Sequence, residues 1–118
     1  MRLPRRFSVR LVGVTFAPGY PETIGKLEAT WVSRELRGEE PVPIKAVLRR
    51  DPANPHDSNA VAVLVDGDHL GHIPANMAAR LAPLLDAGEI WTCEVTDVVT
   101  DPNRPANPGV TVRLARSL

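Results

Sequence analysis

Three histidines, one cysteine and the segment DPANPHDSNA, residues 51–60, are the places where this chain could do chemistry. A bound metal is the first possibility, and spacing argues against it. His69 and His72 stand three apart in a stretch that reads as a strand, which points them to opposite faces, and Cys93 has no paired cysteine or acidic cluster at zinc-ligand spacing. Hydrolysis is the second. The adjacent His56 and Asp57 would need distant His and Asp partners on helices, and Ser58 has neither a Gly-rich elbow nor a neighbouring base, so neither catalysis nor a cofactor is expected. Two readings of the segment remain open. In one, its prolines fix φ and its Asn and Asp side chains bond their own backbone two residues on, so the segment is turn chemistry that delivers the chain into AVAVLV. In the other, the same stiffness holds outward a mixed donor and acceptor (Asn54), a flat ring (His56) and an acceptor (Asp57), a set that suits a nucleotide.

The elements that must carry these residues follow from hydrophobic period and turn residues. FSVRLVGVTF, residues 7–16, is rich in branched and aromatic types and predicts a first strand ended by Ala17-Pro18-Gly19. Arg2, Arg5 and Arg6 precede it as a basic arm. From Tyr20 to Arg37, Ile24, Leu27, Trp31 and Leu36 lie near helical spacing, with Gly38 as the stop. PVPIKAVLRR alternates Val42, Ile44, Ala46 and Leu48 against Lys45, Val47 and Arg49, a half-buried strand whose start Pro41 and Pro43 should make an edge. AVAVLV is apolar on both parities and predicts a strand covered on both sides; Asp66-Gly67 turns it back into HLGHI.

Pro74 opens a helix reaching about Ala87, with Met77, Leu81, Leu84 and Leu85 toward the core, Gly88 closing it and Pro83 kinking or splitting it. EIWTCEVTDVV and GVTVRL alternate as two further strands, joined by the polar, proline-locked loop DPNRPANP. Trp31 and Trp91 are assigned to the core or to packing of the first helix.

About six short strands with two helical insertions give a β-dominated α+β class, a small OB-like barrel that is closed or partly open. At 118 residues one domain is expected, with residues 1–7 as an arm and 8–118 as the domain. Lys plus Arg and Asp plus Glu stand at 14 each, so attraction to a polyanion must come from local placement of charge. A lone cysteine, the absence of a signal-peptide pattern and the lack of an apolar run near 18 residues predict a soluble cytoplasmic setting and no membrane partner.

The order VGVTF, then LRRDPANPHDSNAVAVLV, HLGHIP and ANMAARLAPLLDAG resembles the HIRAN domain, a module of DNA-repair and remodelling helicases and of short bacterial proteins, over roughly residues 8 to 116. The resemblance implies an OB-like barrel that grips the 3′ end of single-stranded DNA, in repair or replication-fork processing, with a helicase or nuclease as a partner protein. It places Phe16 and His56 at stacking positions, Asp57 on the terminal 3′-hydroxyl, and Asn54 and His72 in the pocket. Tyrosines are common at both stacking positions in the family, and a lysine is often found where Ala75 and Asn76 stand here, so phosphates fall to Arg49, Arg50, Arg104 or the helix start near Pro74. A rival use of the same barrel is protein binding without DNA, through the proline-rich strand or the first helix.

Overall fold

The computed structural model describes residues 3–14, 20–40, 42–101 and 104–117. Each alternating stretch becomes a strand and each apolar-striped stretch a helix: β1 (Arg6–Arg10), α1 (Tyr20–Leu36), β2 (Ile44–Arg50), β3 (Val61–Val65), β4 (Asp68–His72), α2 (Ala75–Asp86), β5 (Trp91–Asp101) and β6 (Arg104–Arg116). The strands pair antiparallel in the order β1-β6-β5-β2-β3-β4, the expected OB-like half-barrel with two helices. Parity decides which side chains enter it. Val110, Val112 and Leu114 of β6 and Cys93 and Val95 of β5 are buried, as is every residue of β3. Burying one valine or leucine of this kind contributes about 1.5–3 kcal/mol.

Both helices cover the same core, and both stop on the same device. Ile24 and Leu27 of α1 and Ala78, Leu81 and Ala82 of α2 join the buried cluster, and Trp31 packs half-buried against it with its indole N–H donated to Val42 O at 3.0 Å. After α1, Gly38 N–H donates to Glu35 O and Glu39 N–H to Arg34 O; after α2, Gly88 N–H donates to Leu85 O and Glu89 N–H to Leu84 O. This double bond to the last carbonyls needs a left-handed residue at its centre, and Gly38 and Gly88 have φ of 70° and 95°. Leu36, expected inward, is the last residue of α1 and is 83% exposed. Pro83 does not split α2, since it falls in the final turn, where few ring-opposed bonds remain to lose.

Four strands differ from expectation. β2 is interior: Ile44–Ala46 pair with β5 and Val47–Arg50 with β3, and Pro43 stands outside the strand, where it costs no ladder bond. The loop foreseen between the last two strands is largely strand, because β5 runs on to Asp101 and β6 starts at Arg104, the two paired there.

The first strand, foreseen through residue 16, stops at Arg10. Leu11 N–H still donates to Val110 O on β6 at 2.8 Å, but Val12 crosses to β4 and exchanges two bonds with His72, each 2.9 Å. That crossing joins the two edges of the sheet. It passes close over Gly71: a Cβ there would sit 3.0 Å from Val12 O, 3.1 Å from a Val14 methyl and 3.3 Å from Leu11 Cβ, so the absence of a side chain favours the approach.

Candidate functional site

Residues 51–60 connect β2 to β3 and are bonded at almost every turn. Asp51 N–H donates to Ala60 O at 2.9 Å and closes the neck of the loop. Inside it, Asn54 Oδ1 accepts from the backbone N–H of His56 (2.9 Å) and of Asp57 (3.2 Å), while Asn54 Nδ2 donates to Asp51 Oδ2 (3.2 Å). Asp57 Oδ1 accepts from Asn59 N–H at 2.8 Å. Self-bonding of this kind is what short polar side chains do in turns. It uses up Asn54 but leaves the His56 ring exposed and Asp57 Oδ2 without a partner among the described residues.

Arg50 locks this loop to the rest of the protein. Its guanidinium donates to Ala60 O (2.8 Å), to Ser58 O (3.0 Å) and to both carboxylate oxygens of Asp86 at the end of α2 (2.9 and 3.3 Å). With all three nitrogens engaged and the side chain largely covered, Arg50 is a clamp and not the phosphate contact foreseen for it. Arg49, one residue earlier, points the other way into solvent.

The loop forms one wall of an open cleft of about 590 Å³, lined by Asn54, His56, Asp57 and Ala60 on that side. Val12 and Gly13 form a second wall, His69 and His72 of β4 the floor, and Ile73 and Ala75 the end where α2 begins. Four residues singled out from the sequence, Asn54, His56, Asp57 and His72, are therefore brought together. Phe16 lies outside the described residues, as does the side chain of Arg104, whose backbone opens β6.

His69 was missed. Counting along β4 puts it opposite His72, yet the rings meet edge-to-face with centroids 4.8 Å apart. The cause is a β-bulge: Leu64 pairs with His69 but Val63 pairs with Gly71, so Leu70 is an extra residue and both histidines fall on one face. A glycine inside a strand is the sequence signal that could have raised the bulge. Burial holds the His69 pKa below its usual value, helped by the charge of His72 and of Arg49; a hydrogen bond to the Gly71 backbone and the charge of Asp51 pull the other way. Its Nε2 is buried with no partner, an atom that a bound group could satisfy.

The opening of α2 adds amide donors. Met77 and Ala78 N–H groups both donate to Pro74 O, so the amides of Ala75 and Asn76, two residues ahead, have no intrahelical acceptor. Pro74 supplies no side-chain cap and the first turn carries no acid. The end of the cleft is thus suited to an anion.

The HIRAN domain family model matches residues 5–115. The chain belongs to the HIRAN domain family. Two solved structures share its fold. The HIRAN domain of human HLTF superposes with a TM-score of 0.63 at 20% identity, covering 94% of this chain and 74% of that one. A protein from Lactobacillus plantarum gives 0.58 at 23% identity, covering 92% and 91%. A comparison with curated protein sequences finds no match. In HIRAN terms, the NPHD segment is the cleft wall and the glycine of GHIP is the residue over which Val12 crosses to close the barrel.

Proposed function

We propose that this HIRAN domain binds the free 3′-hydroxyl end of single-stranded DNA in the cleft, as a non-catalytic module in DNA repair or fork processing. The observation that carries the reading is the convergence of Asn54, His56, Asp57 and His72 on one open cleft whose loop wall is fixed by its own hydrogen bonds. The exposed His56 ring offers a face on which a base can stack, worth about 1–3 kcal/mol without demanding sequence. Asp57 Oδ2 accepts the 3′-hydroxyl, the buried Nε2 of His69 gains a partner, and the amides at the start of α2 take the adjoining phosphate. Asn54 acts by positioning: its carboxamide is spent on the backbone of His56 and Asp57 and sets their orientation.

Protein binding through an exposed Trp31 has less behind it, because that indole is half-buried and bonded to Val42 O. Asp57 also separates the two readings chemically. A carboxylate accepts a hydrogen bond from a hydroxyl and repels a phosphate brought to the same place. A hydrogen bond to a charged group is worth about 1.5–3 kcal/mol, which is roughly ten- to hundredfold in affinity. Fluorescence anisotropy with oligonucleotides differing only in a 3′-hydroxyl or 3′-phosphate should therefore show that preference, and Asp57→Asn should narrow it. Equal binding of both ends by the folded wild-type protein would refute the end-recognition role.

A further inference from the structure

Although its formal net charge is zero, the protein does not spread its charges evenly. The outward parity of the sheet places Arg6 and Arg10 on β1, Arg113 on β6, and Lys45 and Arg49 on β2 on one continuous outer face. The cross-strand rows make this explicit: Ser8, Arg113, Glu94 and Lys45 stand side by side across four strands, and Arg6 and Arg10 flank Ser8. Among the described residues, Arg6, Arg10, Lys45 and Arg49 take part in no ion pair; Arg113 is paired with Glu94 at 2.6 Å. Between them lie the hydroxyls of Ser8 and Thr111, neutral groups able to donate to an anion. Several acids sit elsewhere: Glu22, Glu28 and Glu35 on α1, Asp66 and Asp68 at the β3–β4 turn, Asp86 and Glu89 at the end of α2.

This face adjoins the cleft across the buried strand β3. Arg49 pairs across Ala62 with His72, so it lies two strands, about 10 Å, from the cleft floor and on the same side of the sheet. From Arg49, Lys45 is about 13 Å further along β2, and the row from Lys45 reaches Arg113 two strands on.

We infer that this outer face is a second part of the binding surface, a track for the sugar–phosphate backbone of the strand whose 3′ end sits in the cleft. The inference rests on the proposed function for its occupant. Unpaired cations interleaved with hydroxyls outnumber the nearby acids described, Asp51, Glu94 and Asp97, which suits a flexible polyanion, and the closeness of Arg49 to the cleft favours one nucleic-acid strand over a separate acidic protein. The end is then read in the cleft, and the face adds length-dependent grip.

The test compares oligothymidylates of about 4 and about 16 nucleotides, the range that OB-type sites cover, each with a 3′-hydroxyl or a 3′-phosphate. The wild-type protein should bind the longer strand more tightly, and its log–log salt slope should be steeper by about 2, or about 0.7 for each of three neutralised phosphates. Arg6→Gln, Arg10→Gln and Lys45→Gln together should remove both differences while leaving the short strand unaffected. Since Arg10 lies against Gly109, the pair Arg6→Gln and Lys45→Gln serves as a second variant, expected to remove part of each difference. Affinity independent of length, or a length effect that survives in the folded variants, overturns the track. So does a variant that keeps the long strand but loses a poly-glutamate peptide, which would assign the face to an acidic protein. Failure of end recognition reads differently: hydroxyl and phosphate ends would bind alike while the length effect and its loss in the variants persist.

Discussion

Gly71→Ala tests the closure of the barrel on which the cleft depends. The added methyl would lie 3.0 Å from Val12 O, 3.1 Å from Val14 Cγ2 and 3.3 Å from Leu11 Cβ, and two of these neighbours cannot retreat without moving backbone. Either the crossing stays and the site is overpacked, or Val12 moves off and the two 2.9 Å bonds with His72 are lost. Overpacking costs about 1–3 kcal/mol. Two backbone bonds at about 0.5–1.5 kcal/mol each give the same range, so the estimate does not depend on which route the protein takes. With an unfolding entropy of about 2.1 cal/mol/K per residue over 118 residues, 1 kcal/mol lowers Tm by about 4 °C, and the variant should melt about 4–12 °C below wild type. Thermal unfolding followed by circular dichroism measures this directly. Hydrogen exchange at the Val12 and His72 amides should accelerate more than at Val63 or Val112 in the core. A variant melting within 1 °C of wild type, with those amides equally protected, would show that the Val12–His72 crossing does not hold the edges together.

Other outcomes follow from single contacts. Arg50→Ala should destabilise by about 2–3 kcal/mol in urea unfolding, since it removes charged bonds to two loop carbonyls and to Asp86. Asn54→Ala should weaken DNA binding more than it lowers Tm, because two backbone donors that orient His56 and Asp57 lose their acceptor at an exposed loop where water replaces it. His69 has a lowered pKa when folded, so the unfolded chain binds more protons: its contribution is fully present above pH 6.5 and is lost as pH falls toward the folded value. His69→Gln should therefore show a smaller fall of Tm between pH 7 and pH 5 than wild type, and an equal fall would contradict the assignment. Burial, with Glu94 beside it, pushes the Cys93 thiol up to about 12, so a disulfide-exchange reagent at pH 8 should label it only in denaturant.

What could be read in advance was local. Alternation in IKAVLRR, WTCEV and GVTVRL survives in the structure because period two assigns a face whichever strands become neighbours. The helix ends were readable because Gly38 and Gly88 supply a backbone conformation that other residues resist. What escaped was set by partners distant in sequence. RLVGV looks like unbroken strand, and only the position of β4 makes it change partners at Val12. Leu70 is apolar and buried in either register, so nothing in its own character announces a bulge, and the parity of His69 went with it. Arg49 and Arg50 form an undivided basic pair in sequence; one β-strand step sends the first outward and the second beneath the loop. At the cleft, the loop residues were legible through their turn chemistry, whereas Val12, Gly13 and His69 enter it by the crossing and the bulge.

The clamp at Arg50 has a thermodynamic consequence for any ligand. A free ten-residue loop would have to surrender its backbone freedom on binding, at about 1–2 kcal/mol for each residue fixed. Here Asp51, Asn54, Asp57 and Arg50 have already exacted that cost during folding. A ligand meets a wall that is the same before and after it arrives, so its association rate should follow encounter and charge and not loop rearrangement. The entropy lost on binding then belongs almost wholly to the ligand.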